Sequence, residues 1–254
     1  ILVAPSDHLI IKEEDYLNAI RAAFDSCADE DILITLGITP TRPDTGYGYI
    51  QATDISLESN KDLLKVKTFT EKPNKELAEV FFESGDFSWN SGMFIWSSKS
   101  IVNSFKQNMF EIHDLFKDGF GIYCTDKEHD FIQEIYAQCV NISVDYAILE
   151  KADNVYVLPC DIGWTDLGTW GSLYNQVDKD PNKNAIVGKS VKLYNSAKNI
   201  ISNPTDKLIV IDGLEDYIVV NTSDALLICK KEDEQKIKQF VTDLGSTKEF
   251  KKFI

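Results

Sequence analysis

The chain has 254 residues, 43% of them hydrophobic and 26% charged, with a formal net charge of -15. That composition suits a folded globular protein with one large core or two domains, and excludes a disordered chain. The acidity argues against nucleic acid as the main partner, because a phosphate backbone needs a basic face. A single nucleotide stays open, since a few lysines, backbone amides and a metal can hold one locally. Excess carboxylate is also what a hard divalent cation requires, although a solvated acidic surface accounts for most of it. Cys27, Cys124, Cys139, Cys160 and Cys229 are scattered, with no C-x-x-C pair. This argues against a disulfide framework or a zinc site and for a reducing compartment. No apolar run reaches the length of a membrane span and no signal peptide is visible, so a cytoplasmic setting without membrane contact is expected.

Ile1-Leu2-Val3 reads as a buried strand running into Pro5-Ser6-Asp7-His8. Asp7 then stands at a strand's carboxyl end, where open α/β sheets bind ligands. It equally suits a turn or helix cap. A core strand at residue 1 leads to the expectation that earlier strands are missing and that the sheet has an unpaired apolar edge here. A helix is predicted over 13–27 from Leu17, Ile20 and Phe24, and a strand over 32–36 ending at Gly37. Residues 38–48 are too rich in Pro and Gly for a regular element; strands follow at 49–53 and 63–70. Asn74 is a candidate N-cap for a helix with Leu77, Val80 and Phe81 on one face and Gly85 as its stop. Trp89-Asn90-Ser91-Gly92 reads as a turn before a strand at 93–96. Helical patterns follow at 100–116 and 128–139, with Ser143 capping a short helix at 144–151 and a strand at 155–158.

Alternating strands and helices make this an α/β domain, set at 1–177. From 178 the texture changes to short β-rich runs separated by Asn, Asp and Gly, suggesting a sandwich-like piece or a few coils of a β-helix over 178–254. A final helix carries Ile237, Phe240, Val241 and Leu244, with Gly245 as its stop.

Successive strand ends supply Asp7, Gly46, Glu71, Lys72, Asn90 and Asp166. Two carboxylates far apart in sequence can share a Mg²⁺ and leave room for substrate phosphates. A lysine offers a point charge to a phosphate, a glycine lets the backbone approach a ligand, and an asparagine can hydrogen-bond a sugar hydroxyl. The set suggests phosphoryl or nucleotidyl transfer. Arg42, between two prolines, either meets a phosphate or decorates a loop, and His8 is expected to make a structural hydrogen bond.

Six ordered motifs then resemble the sugar-phosphate nucleotidyltransferases, and among them the bacterial mannose-1-phosphate guanylyltransferases. They are Pro5-Ser6-Asp7-His8-Leu9-Ile10, Pro40-Thr41-Arg42-Pro43 with Thr45-Gly46-Tyr47-Gly48-Tyr49-Ile50, Phe69-Thr70-Glu71-Lys72-Pro73, Trp89-Asn90-Ser91-Gly92-Met93-Phe94, Ser143-Val144-Asp145-Tyr146 with Glu150-Lys151, and Gly163-Trp164-Thr165-Asp166-Leu167-Gly168-Thr169-Trp170. The resemblance implies an incomplete Rossmann-like nucleotidyltransferase sheet followed by a partial left-handed β-helix, the latter used in homodimer contacts. It implies that Asp7 and Asp166 hold a catalytic Mg²⁺ and that Lys72 binds the sugar phosphate. Glu71, Asn90 and the backbone at Gly46 would hold the sugar, with Asp145 nearby in an unassigned role. The reaction implied is GTP plus mannose 1-phosphate giving GDP-mannose and pyrophosphate. The alternatives are another sugar 1-phosphate or a non-catalytic scaffold relative. The family's glycine-rich triphosphate loop is not among these residues, so the chain alone is expected to be an inactive fragment.

Overall fold

The computed structural model describes residues 1–253 and packs as two compact units, Ile1–Trp164 and Thr165–Ile254. In chain order the first holds β1 (Leu2–Val3), β2 (Leu9–Ile10), α1 (Glu13–Asp29), β3 (Leu33–Ile38), β4 (Tyr49–Ser56), β5 (Leu64–Thr70), α2 (Lys75–Ser84) and β6 (Phe87–Trp96). It continues with α3 (Ser98–Asn108), α4 (Phe110–Lys117), α5 (Glu128–Tyr136), a π-helical turn (Asp145–Leu149) and β7 (Val155–Cys160). The two units meet in sequence at β8 (Trp164–Thr165).

Six strands form one mixed sheet in the order β1-β6-β3-β7-β5-β4. β3 and β7 run parallel, while β3 and β6 are antiparallel. The ten-residue β6 gives one edge to β3 and divides the other, pairing Phe87–Trp89 with β4 and Phe94–Ile95 with β1. Because β4 also pairs with β5, and β5 with β7, the hydrogen bonding runs in a closed circuit. β1 lies outside that circuit at an edge, with Ile1 and Val3 exposed.

β3 is wholly buried, and its alternation divides the core. Ile34, Leu36 and Ile38 pack with Ile20, Ala23 and Cys27 of α1 and with Ala78 and Phe81 of α2. Leu33 faces the other way and packs with Phe94, Trp96, Val155 and Val157 and with Ala147, Ile148 and Leu149 of the π-helical turn. Each such aliphatic side chain contributes about 1.5–3 kcal/mol relative to exposure.

Local readings differ from the structure where composition misleads. Trp89–Gly92 is not a turn before a strand but part of β6. The register jumps from Thr35↔Phe94 to Gly37↔Asn90, leaving a bulge at Ser91–Met93 that Gly92 accommodates at φ +72°. The helix predicted over 100–116 starts at Ser98, where Ser97 accepts from the Ser100 N–H at 2.9 Å, and breaks at Met109. In α2, Ala78 and Phe81 are buried whereas Leu77 and Val80 are exposed. The N-cap of the π-helical turn is Val144 rather than Ser143, and no side-chain cap is made there among the described residues.

In the second unit come α6 (Trp170–Gln176), β9 (Ala185–Gly188), β10 (Val191–Tyr194), β11 (Ile200–Asn203), β12 (Ile209–Asp212), β13 (Tyr217–Asn221), β14 (Leu226–Lys230) and α7 (Lys236–Ser246), which runs through Gly245. β9, β11 and β13 stack in parallel, as do β10 and β12, and β14 closes antiparallel on β13, a β-helix-like arrangement. Ala185, Ile200 and Ile218 form its dry centre, against which Trp170, Leu173 and Tyr174 pack. That packing places α6 in this unit.

Asparagines satisfy one another up the stack. Asn199 Nδ2 donates to Asn184 Oδ1 at 2.9 Å, and Asn221 Nδ2 donates to Asn203 Oδ1 at 2.9 Å. All four are buried, where an unmade bond is costly. Gly188 sits at φ +111°, and a Cβ there would lie 2.0 Å from the backbone oxygen of Asn203. Gly188→Ala is therefore expected to destabilise this unit by at least about 3 kcal/mol. Urea denaturation checks this, and an unchanged midpoint would refute it.

Candidate active site

Three strands converge on the loop before β4. Asn90 N–H of β6 donates to Gly48 O at 2.8 Å, and Lys72 N–H, just past β5, donates to Tyr47 O at 3.2 Å. The loop is thus clamped from both sides, and Lys72 takes a left-handed φ of +46° to make its contact.

Around this clamp gather Glu71, Lys72, Asn90 and Asp145. Glu71 has only 9% of its side chain exposed, and its Oε1 accepts from Lys72 Nζ. Its Oε2 is buried without a hydrogen-bond partner among the described residues, beside Gly48, where a Cβ would lie 2.4 Å away. A carboxylate oxygen left so is an acceptor waiting for a donor. Asn90 Oδ1 accepts from Thr35 Oγ1 at 3.0 Å and from Gly92 N–H at 3.2 Å. At its other end, Asn90 Nδ2 donates to Asp145 Oδ1 at 2.9 Å. The β6 bulge turns this side chain toward Asp145, and the π-helical turn presents the carboxylate.

The charges are mutually dependent. The hydrogen bond to Glu71, helped by the field of Glu71 and Asp145, raises the Lys72 pKa above the ordinary lysine value against the opposing effect of burial. Burial, and then the charges of Glu71 and Asp145, push the Glu150 carboxyl up. The cluster can therefore neutralise a further anion at Lys72 and accept hydroxyl hydrogens at Glu71.

Next to it, Arg42 Nη2 pairs with the buried Asp44 at 2.6 Å and its guanidinium lies 5.4 Å from the Trp89 ring and 5.9 Å from that of Tyr47. Burial opposes its charge, but Asp44 and Tyr47 outweigh this and raise its pKa. Arg42 thus braces the loop.

Of the strand-end residues, Glu71, Lys72 and Asn90 lie together, and Asp145, which only the resemblance had put near them, joins the cluster through Asn90. At Gly46 the N–H donates to Asp44 Oδ1 at 2.8 Å; the close backbone approach falls at Gly48 instead. Asp7 is exposed after β1, and His8 Nδ1 accepts from Trp164 Nε1 at 3.0 Å. Asp166 belongs to the second unit, where its Oδ1 accepts from Gly168 N–H at 2.9 Å. Among the described residues no group of three or more His, Cys, Asp or Glu is arranged as an ion cage. Mg²⁺ needs none, because one or two carboxylates with waters and substrate phosphates complete its shell. Sequence reasoning missed Thr35, which reads as an ordinary strand former, and gave Gly48 no role of its own.

Residues 1–183 match the family model for nucleotidyl transferases. The chain belongs to the nucleotidyl transferase family. Residues 188–244 match a second model, described as a mannose-phosphate isomerase and GMP-like β-helix domain, in keeping with the stacked strands. Among curated nucleotidyltransferases, a mannose-1-phosphate guanylyltransferase of Klebsiella pneumoniae is 34% identical over 244 residues, covering 95% of this chain and 51% of that protein. One from Escherichia coli has the same identity and coverage. The chain spans about half the length of the curated relatives it matches. A crystal structure described as a mannose-1-phosphate geranyltransferase from Thermus thermophilus shares the fold, with a TM-score of 0.81 at 24% identity over 96% of this chain and 69% of that one. Among the described residues, no helix is long and apolar enough to cross a membrane.

Proposed function

We propose that this chain carries the sugar-phosphate side of a mannose-1-phosphate guanylyltransferase, an enzyme that makes GDP-mannose and pyrophosphate from GTP and mannose 1-phosphate. The buried, unpartnered Glu71 Oε2 beside Lys72 is the observation that carries this reading. A sugar hydroxyl satisfies Glu71 Oε2, while the ammonium of Lys72, one donor held by Glu71, turns its other donors to the phosphate. Asn90 holds a further sugar oxygen, and Asp145 fixes Asn90. Held this way, the sugar phosphate oxygen is aligned on the α-phosphate, and positioning with charge neutralisation supplies the rate. Mg²⁺, held by a carboxylate such as Asp7 with waters and substrate phosphates, would supply neutralisation of phosphate charge. The identity to guanylyltransferases from Klebsiella pneumoniae and Escherichia coli supports the choice of substrates.

The test is pyrophosphate release by the protein from GTP plus mannose 1-phosphate. Release is expected only with a divalent cation and to stop on adding a chelator. Turnover unaffected by the chelator would refute the metal assignment, and no release with any sugar 1-phosphate would refute the enzyme itself.

A further inference from the structure

We propose that Thr35 is a positioning residue for the sugar-phosphate subsite, one that fixes Asn90 so that its amide offers a ligand a donor and no acceptor. The inference rests on the reading of that subsite given above. Thr35 sits two residues along β3 from Leu33, on the same face, and is fully buried. A valine would suit such a position for packing and strand preference, so the hydroxyl calls for a reason. Its only hydrogen-bond partner among the described residues is Asn90 Oδ1, at 3.0 Å.

The Gly92 N–H reaches the same oxygen at 3.2 Å, while Asp145 Oδ1 faces the opposite end of the amide, 2.9 Å from Nδ2. A backbone donor at one end and a carboxylate at the other admit one orientation of the amide, and the Thr35 hydroxyl completes the lock. Both lone pairs of Asn90 Oδ1 are then engaged, and one Nδ2 hydrogen remains. Asn90 therefore recognises an oxygen lone pair, from a hydroxyl or a phosphate, and does not accept from a hydroxyl hydrogen. Glu71 Oε2 takes the complementary part, so the two residues read opposite sides of hydroxyl chemistry. Without the Thr35 hydroxyl, one lone pair of Asn90 Oδ1 is unsatisfied in a buried setting, and the amide is held by Gly92 and Asp145 alone.

Calorimetric titration of the native protein and of Thr35→Val with mannose 1-phosphate, and separately with GDP-mannose, tests this. Thr35→Val is expected to weaken binding about tenfold, the scale of one displaced hydrogen bond, and to lower the melting temperature by no more than a few degrees. Thr35→Ser, which keeps the hydroxyl and loses the methyl, is expected to bind within about twofold of native, since only packing is altered. Should the valine variant fail to fold, Thr35→Ser against Thr35→Ala gives the same contrast of hydroxyl alone. Equal affinity of native and Thr35→Val, or equal weakening by serine and by the hydroxyl-free variants, overturns the inference. A native protein that binds neither ligand overturns instead the reading of the subsite on which it rests.

Discussion

Replacing Lys72 with methionine is expected to lower kcat/KM for mannose 1-phosphate by about 10²–10³, the scale of removing one preorganised charge from a developing phosphoryl transfer. The loss has two parts. The ammonium no longer meets the phosphate, and Glu71, with 9% of its side chain exposed, loses the cation that holds its Oε1. Asp145 adds a further negative charge to the same space. A cation-free subsite would thus repel the sugar phosphate rather than merely ignore it. The stability cost should be smaller, about 1–3 kcal/mol at most, because Lys72 itself is half exposed and surface pairs contribute little. Lys72→Arg should recover only part of the rate, since a planar fork cannot replace a point charge on a short reach at left-handed φ. Steady-state kinetics of pyrophosphate release would settle it; a methionine variant within threefold of native removes Lys72 from the site.

Gly48→Ala is the second large effect, and its character is opposite to that of Gly188→Ala. The added Cβ would meet Glu71 Oε2 at 2.4 Å and Asn90 Cβ at 3.2 Å. The nearer obstacle is the far end of a side chain, so the clash is relieved by moving Glu71 rather than by distorting the backbone. The expected outcome is a fall of about a hundredfold in affinity for mannose 1-phosphate, corresponding to two displaced hydrogen-bonding groups. The melting temperature should move by only a few degrees, corresponding to about 1 kcal/mol. Parallel calorimetry and thermal unfolding distinguish the two effects. An alanine variant that unfolds early yet binds normally would show that Gly48 serves packing and not the ligand.

Part of this was legible in the sequence because Glu71 and Lys72 stand just past a strand, where an apolar run stops and polar residues begin. Glu71 and Lys72 follow the run of β5 directly, and their neighbourhood with Asn90 follows once β5 and β6 share a sheet, whereas Asp145 reaches the cluster from the π-helical turn. What escaped was information carried by register and by contacts distant in sequence. The Asn-Ser-Gly composition at 90–92 reads as a turn, yet β6 continues because β3 pairs with it on both sides of the bulge. The break at Met109 carries no Gly or Pro to announce it, and the π-helical turn at 145–149 looks like any short helix. Leu77 and Val80 have helical spacing, but the face of α2 that meets the sheet is the one with Ala78 and Phe81. Thr35 could not be found without its partner, because an isolated threonine in an apolar strand is a strand former and nothing more.

The asparagine stacking in the second unit has a consequence for how this part of the chain can vary in length. Equivalent asparagines recur 15 residues apart between Asn184 and Asn199 and 18 apart between Asn203 and Asn221. Asn199 and Asn203, in the middle coil, each bond both the coil before and the coil after, Asn199 through Asn184 and the Tyr217 N–H and Asn203 through Lys189 O and Asn221, so the stack behaves as a one-dimensional series of nearest-neighbour contacts. Gaining or losing a whole coil leaves every remaining amide with a partner, whereas a change of a few residues within a strand leaves one of them unpaired in a dry interior. Length in this unit is therefore quantised. Insertions of intermediate size belong in the turns, where residues such as Lys183, Asn195 and Asp216 already take left-handed backbone angles.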